Sequence, residues 1–556
     1  MSLNPSSPPL LDALPPLHKG KACSNCRRRK MRCDAAKPVC GPCSRSTGAF
    51  SDCEYTDFGL TKTQQLEDQI AVLEARIEQL QTSGEGSVTL HSPYRGQRVP
   101  ATQAPNDFGT GIVHLIADRL LEELHPNLHF TLINNFLPHA EELGFFLDTD
   151  RFVRIVLDDR GRYEKPIPAL LNAVYLAGAH FATPAYPPDT LTAFIRRALQ
   201  TVSTGLQGNH SQKVIQTIQA EALVAQFLFG NGRLLEGRYH VTAAVSLVLS
   251  AKLNKITGGG RMPSVGFSGS AGVGRGAGTV SGEIIPVPRD AVEEGERIHA
   301  FWTVLWLNNL WTAIDGLPSN VAYTTDDARV DTPWPLEFGD YKQNTAPSAT
   351  SGRTVQSFLM NGQDDAQSAK ALCSKAAVLF EQATQIGRQY RNDPSSARLQ
   401  RYFLSLDSLI QRFIGNIPTI SQATLWAPLS TQLCIHTLAR VALIRLYSPF
   451  FDRDIASFTR VMNASRSVVE VIRGVDMSRI QYVDPIIPML WAATCQVFMN
   501  GIKKSRVADM SSSPVPPAGM HGLCKEMMNV MEHVVSVCPL MRTQVREVKS
   551  AFDAIA

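Results

Sequence analysis

The chain of 556 residues has no long hydrophobic run: nowhere does it reach the roughly eighteen apolar residues a helix needs to cross a bilayer. Its first residues carry four prolines before position 16 and no apolar stretch, so they do not read as a secretory signal. A soluble, intracellular protein without a membrane partner is expected. No HExxH, GxSxG or Walker-type GKS/GKT occurs, and the thirteen histidines are dispersed. The string GVGRGAG at 272–278 has glycines at alternate positions, which fails the dinucleotide-binding spacing and reads as a loop. The chain is therefore not expected to be an enzyme. Cysteine is sparse over most of the length, where Cys373, Cys434, Cys495, Cys524 and Cys538 stand singly on apolar helical segments as buried thiols.

The other six of the eleven cysteines fall between Cys23 and Cys53, in a segment with an equally uneven charge. The whole chain is only +4, yet His18 to Cys53 holds nine basic residues against Asp34 and Asp52, which makes it +7 and leaves −3 elsewhere. A small basic head on a near-neutral body suits a polyanion such as nucleic acid. Cys23, Cys26, Cys33, Cys40, Cys43 and Cys53 are separated by two, six, six, two and nine residues. Each CxxC turns a pair of thiolates towards one metal ion. Six thiolates do not complete two separate four-ligand sites, but sharing two of them as bridges does. The result is two zinc ions per chain in a closed, all-sulfur, structural cluster with no position left to activate water. Ser24 and Asn25 are helix-cap residue types, and Gly41-Pro42 places proline where a first turn tolerates it. So short a segment has almost no core, and metal binding has to hold it folded.

The run CSNCRRRKMRCDAAKPVCGPC, closing with CEY at Cys53–Tyr55, resembles the fungal zinc binuclear cluster transcription factors. The loop of nine residues before Cys53 is longer than is usual there, and Gly48 can absorb the excess. The resemblance implies that Cys23 and Cys40 are the bridging thiolates. It also implies a sequence-specific DNA-binding regulator of RNA polymerase II genes, located in the nucleus. Arg27, Arg28, Arg29, Lys30 and Arg32 lie on and just after a short helix of a size that fits the major groove. By similarity to the family, Arg29 and Lys30 read a CGG-type triplet in double-stranded DNA, with Arg27, Arg32 and Lys37 on phosphates. Arginine at 29 stands where lysine is commoner. The same basic run also suits nuclear import.

Residues 1–18 are expected to be a disordered leader, 19–55 the cluster domain and 56–65 a linker. Over 66–81, Leu66, Ile70, Leu73, Ile77 and Leu80 alternate spacings of four and three, which predicts a coiled-coil helix and a homodimer. Such a helix is only about 27 Å long at ~1.5 Å per residue, and the linker before it would set half-site spacing. A second linker, 82–110, precedes a body at 111–556 with helical periodicity throughout, interrupted by loops expected at 257–282 and 336–363. The fold class is thus mostly α: a small zinc cluster, a short coiled coil and a large all-helical domain. Arg297 to Leu310 is apolar on nearly every face and predicts a helix at the centre of the core, where Trp302, Trp306 and Trp311 are core aromatics or line a pocket.

The stretch EEGERIHAFWTVLWLNNLWTAIDGLPSNV with ARVDTPWP, and HTLARVALIRLYSPF further on, are similar to motifs of the all-helical fungal transcription factor regulatory domain. That similarity implies effector sensing, intramolecular inhibition or contact with transcriptional coregulators. The alternative is a helical enzyme or ligand-binding protein carrying a DNA-targeting zinc head.

Overall fold

The computed structural model describes residues 22–45, 53, 55, 126–158, 160–257, 285–323, 329–343, 352–362, 364–420, 426–507 and 516–555. The heptad seam from Leu66 to Leu80, both linkers and the glycine-rich stretch 258–284 lie outside them. The chain divides into two compact units, Met1–Pro105 and Asn106–Ala556. Every regular element among the described residues is helical.

In the first unit two short helices, α1 (Ser24–Arg28) and α2 (Gly41–Ser44), pack on one another. The residue that caps α1 is Cys23, whose Sγ accepts from the Cys26 backbone N–H. Ser24 and Asn25, cap types by composition, sit inside the first turn instead. The sulfur takes the position that a serine oxygen usually holds, because the chain must also turn both thiols of the pair inward.

The described helices of the second unit are α3 (Pro126–Phe136), α4 (Thr149–Val156), α5 (Pro168–His180), α6 (Pro188–Val202), α7 (Lys213–Gly230), α8 (Leu234–Ser250), α9 (Ala291–Ile314), α10 (Phe338–Lys342), α11 (Thr354–Leu359), α12 (Ala369–Asn392), α13 (Ala397–Asn416), α14 (Leu429–Tyr447), α15 (Ile455–Arg473), α16 (Ile486–Val507), α17 (Pro517–His533) and α18 (Pro539–Asp553). Five of them, α3, α5, α6, α17 and α18, start on proline, where the missing N–H costs nothing and φ is already helical. Asp148, Asp290, Ser368, Ser396 and Asp454 cap α4, α9, α12, α13 and α15 through their side chains.

The axis of this unit is α9, which packs against α7, α8, α10, α12 and α16. It begins at the Asp290 cap with Glu293 and Glu294 in the first turn, where carboxylates suit the helix dipole. Glu293 is buried and receives the buried Arg297 and the exposed Arg289, each at 2.8 Å, so the motif's Glu293 and Arg297 pair with each other inside the fold. Beyond Arg297 nearly every residue to Trp311 is buried, as an all-round apolar helix requires. Trp302 stacks on Trp334 at 4.3 Å and donates its Nε1–H to the Pro333 carbonyl at 2.6 Å, and Trp311 stacks on Phe229 at 3.8 Å. Trp306 is only half-buried and faces a cavity. Where α5 crosses α3, a Cβ on Gly178 would fall 1.9 Å from the Leu132 carbonyl oxygen, so only glycine permits that approach.

One detail corrects the sequence reading. The polar segment 336–363 carries α10 and α11, pinned by the buried side chains Tyr341, Val355 and Phe358. A few apolar anchors suffice there because Tyr341 closes against Gly295 and Phe358 against Trp334. At the C-terminal end, α17 and α18 are separated by a break between His533 and Pro539. Helix α15 begins at Ile455, because Asp454 supplies the cap.

Candidate metal centre and nucleic-acid interface

Cys23, Cys26, Cys33, Cys40 and Cys43 are buried and pack together, with Cys53, Ala22 and Tyr55 against them. Their sulfurs form two groups of four, Cys23, Cys26, Cys33 and Cys40 in one and Cys23, Cys40, Cys43 and Cys53 in the other, with all sulfurs of a group within 4.8 Å of one another. Cys23 and Cys40 belong to both. Within the groups the Cys23–Cys40 and Cys23–Cys43 sulfurs are 3.7 Å apart and the Cys26–Cys40 sulfurs 3.6 Å. A zinc tetrahedron with Zn–S of ~2.3 Å has edges of ~3.8 Å, so these spacings match the edges of a filled site. Cys26 and Cys43, one from each group, are 3.8 Å apart, so the groups are fused rather than separate.

Charge makes the same demand. Burial pushes up the thiols of Cys23, Cys26 and Cys40, because thiolates crowded away from water are costly without cations. At Cys33 burial is outweighed by N–H donors, that of Ala35 among them, and by Tyr55, and the thiol is lowered to about 7. Backbone N–H groups already point at the sulfurs, from Cys26 to Cys23 at 3.4 Å, from Ala35 to Cys33 at 3.4 Å and from Cys40 to Cys53 at 3.2 Å. The Asn25 amide donates to the Cys43 sulfur at 3.6 Å. Such donors orient ligands and lower the cost of their negative charge.

Three supporting residues went unassigned in the sequence reading. Asn25 is one. Asp34 accepts the Gly41 N–H with both carboxylate oxygens, at 3.1 and 2.9 Å, and so holds the start of α2 next to Cys40. Tyr55 donates to the Ala36 carbonyl at 2.8 Å, and the Lys37 ammonium lies 5.5 Å from its ring centre, which ties the residues after Cys53 to the loop before Cys40. The acid directly after Cys33 and the aromatic two after Cys53 were the available signals.

Around the cluster, the side chains of Arg27, Arg29, Lys30, Arg32 and Lys37 are all exposed. Arg27 sends its Nε–H to the Ala22 carbonyl at 2.9 Å. The backbone of Arg28 lies in α1. The C-terminus of α1 closes with the Lys30 N–H on the Arg27 carbonyl at 3.2 Å and the Met31 N–H on the Cys26 carbonyl at 3.0 Å, while Lys30 takes a left-handed φ of 51°. This is the paired closure of a Schellman motif, and it fixes where Arg29 and Lys30 leave the helix.

Residues 21–61 match the family model for the fungal Zn(2)-Cys(6) binuclear cluster domain. A stretch of 86 residues is 34% identical to the zinc finger transcription factor YRM1 of Saccharomyces cerevisiae, covering 14% of this chain and 11% of that protein. The chain thus aligns with only a small fraction of that relative's length. The N-terminal unit carries a binuclear zinc cluster domain, which takes two zinc ions, and the sulfur geometry fits that pair.

Proposed function

We propose that the protein is a nuclear, sequence-specific DNA-binding regulator of transcription by RNA polymerase II. The observation that carries this reading is the fused pair of four-sulfur groups with Arg29 and Lys30 exposed at the closed end of α1. All six clustered cysteines hold the two zinc ions, with Cys23 and Cys40 shared, and the metal makes α1 rigid enough to enter a major groove. Arg29 and Lys30 donate to guanine edges of a CGG-type triplet, while Arg27, Arg32 and Lys37 contact phosphates. Arg27 has one face committed to Ala22 and adds charge more than base contact. Leu66, Ile70, Leu73, Ile77 and Leu80 pair two chains, so the dimer reads two triplets whose spacing the intervening linker sets. The helical unit adjusts the output through coregulators.

Random-site selection with zinc-loaded, full-length protein tests the reading. Enrichment of paired CGG-type triplets at one fixed spacing is expected, with affinity falling by about 0.9 log units per tenfold rise in salt for each phosphate neutralised. A zinc-loaded protein that enriches no motif overturns it.

A further inference from the structure

In the helical unit, residues from α7, α9, α12, α14 and the segment before α16 surround a cavity of about 630 Å3, its open mouth included. Its polar groups are unusual in balance. Asp484 is buried, accepts the Ile486 N–H at 3.0 Å, and has no cation paired with it among the described residues. Burial pushes its carboxyl up to about 6, against the pull of the Ile486 N–H, the Gln226 and Trp306 side chains and the more distant Lys370 charge. Glu141 and Glu142 also line the space, and the single lysine there, Lys370, donates to the Glu141 carbonyl at 2.8 Å. Glu142 is taken up by Ser430 and by His139 at 3.4 Å.

Two atoms on the wall have no hydrogen-bond partner, the Gln226 Oε1 and the Tyr482 Oη, on side chains 4% and 6% exposed. An unsatisfied buried polar atom costs about 1–3 kcal/mol, so two such atoms in one wall, beside a buried carboxyl with no cation on it, point to a guest. The guest must donate, because an amide oxygen and a carboxylate only accept. An anion would meet three carboxyl groups and one committed lysine. The half-buried indole of Trp306 offers a face for an apolar body and, by its ring electrons, for a cation.

We propose that this cavity binds a small organic ammonium, its N–H groups shared among Asp484, Gln226 Oε1 and Tyr482 Oη and its apolar body laid along Trp306. The site lies wholly in the helical unit and its test reads ligand binding alone, so it stands or falls independently of DNA recognition by the zinc cluster.

Calorimetric titration of zinc-loaded, full-length protein with 2-phenylethylamine and tryptamine tests it, with 2-phenylethanol and phenylacetate as size-matched neutral and anionic comparisons. Saturable one-site binding of an amine is expected, about tenfold or more tighter than the alcohol, with the carboxylate weakest. Asp484→Asn should erase the preference of amine over alcohol. Tyr482→Phe should weaken the amine several-fold while leaving that preference, and it decides the matter should Asp484→Asn unfold. Equal affinity for amine, alcohol and carboxylate, full amine binding by Asp484→Asn or, should that variant unfold, by Tyr482→Phe, or no saturable binding of either amine at millimolar concentration each overturn the proposal.

Discussion

The sulfurs of Cys23 and Cys40 lie 3.7 Å apart, and each belongs to both four-sulfur groups of the N-terminal unit. The remaining four cysteines belong to one group each. Removing a shared sulfur therefore opens both tetrahedra at once, whereas removing an unshared one opens a single tetrahedron.

Zinc content should follow that difference. Cys23→Ser or Cys40→Ser is expected to bind well below one ion per chain by mass spectrometric metal analysis, and Cys26→Ser or Cys53→Ser to keep about one of two. Metal binding in small zinc domains is worth ~10–16 kcal/mol, so chelation should unfold this unit while the helical unit keeps its circular dichroism. Equal stoichiometry in shared and unshared variants would contradict the bridged arrangement.

Gly41 and Asp34 give a second prediction. A Cβ at position 41 would fall 2.5 Å from the Asp34 Oδ2, so Gly41→Ala must expel the carboxylate that holds the start of α2. Partners that support metal ligands are typically worth ~10- to 100-fold in metal affinity. Gly41→Ala should lose about tenfold in competition against a chelator, and Asp34→Asn, which keeps an acceptor oxygen, should lose less. An unchanged zinc affinity in Gly41→Ala would remove Asp34 from any role in the site.

What was legible in the sequence was whatever repeats or clusters locally. The cysteine spacing foretold two groups sharing two sulfurs, and the unbroken apolarity after Arg297 foretold a helix buried on nearly all sides. What escaped depends on partners far along the chain. The anchoring of α10 needs Tyr341 to meet Gly295, and the burial of Glu296 needs a backbone N–H that lies 148 residues away in the sequence. The cap of α1 escaped for another reason: the usual capping acceptors are the oxygens of Ser, Thr, Asp and Asn, yet here the sulfur of Cys23 caps α1.

The burial of Glu296 makes the helical unit sensitive to pH. Burial, opposed by the Asp148 N–H at 3.0 Å and the charge of Arg151, pushes the Glu296 carboxyl from its ordinary 4.5 up to about 7. In the unfolded chain the group ionises above about 4.5; in the fold it stays neutral until about 7. Its contribution to stability is therefore complete below about 4.5 and is lost as pH rises through 7. Glu296→Gln, which keeps an oxygen for the Asp148 N–H, should be near neutral at pH ~5 and stabilise by roughly 3 kcal/mol at pH ~8 in denaturant titrations. The buried His299 runs the opposite way: burial lowers it to about 4, so its contribution is complete above 6.5 and is lost as pH falls towards 4. A Glu296→Gln effect that does not grow with pH would show that the carboxyl is already relieved by water.

Lys30 is where stability and recognition can be pulled apart. It occupies the left-handed position that closes α1, with φ at 51°, a conformation that glycine adopts freely and that costs other residues ~1–2 kcal/mol. Lys30→Ala keeps that strain and removes the ammonium; Lys30→Gly removes both. The two variants should therefore hold zinc equally and fold with different ease, the glycine form more stable by about 1 kcal/mol. Both should lose about 1–3 kcal/mol of preference for a CGG-type triplet, because the lost contact is to a base edge. A binding comparison between a matched and a scrambled duplex, run beside thermal melts, separates the effects. If the glycine variant were the more stable protein and still chose its triplet as well as the native chain, Lys30 would serve only to close the helix, and base reading would fall to Arg29 and its neighbours.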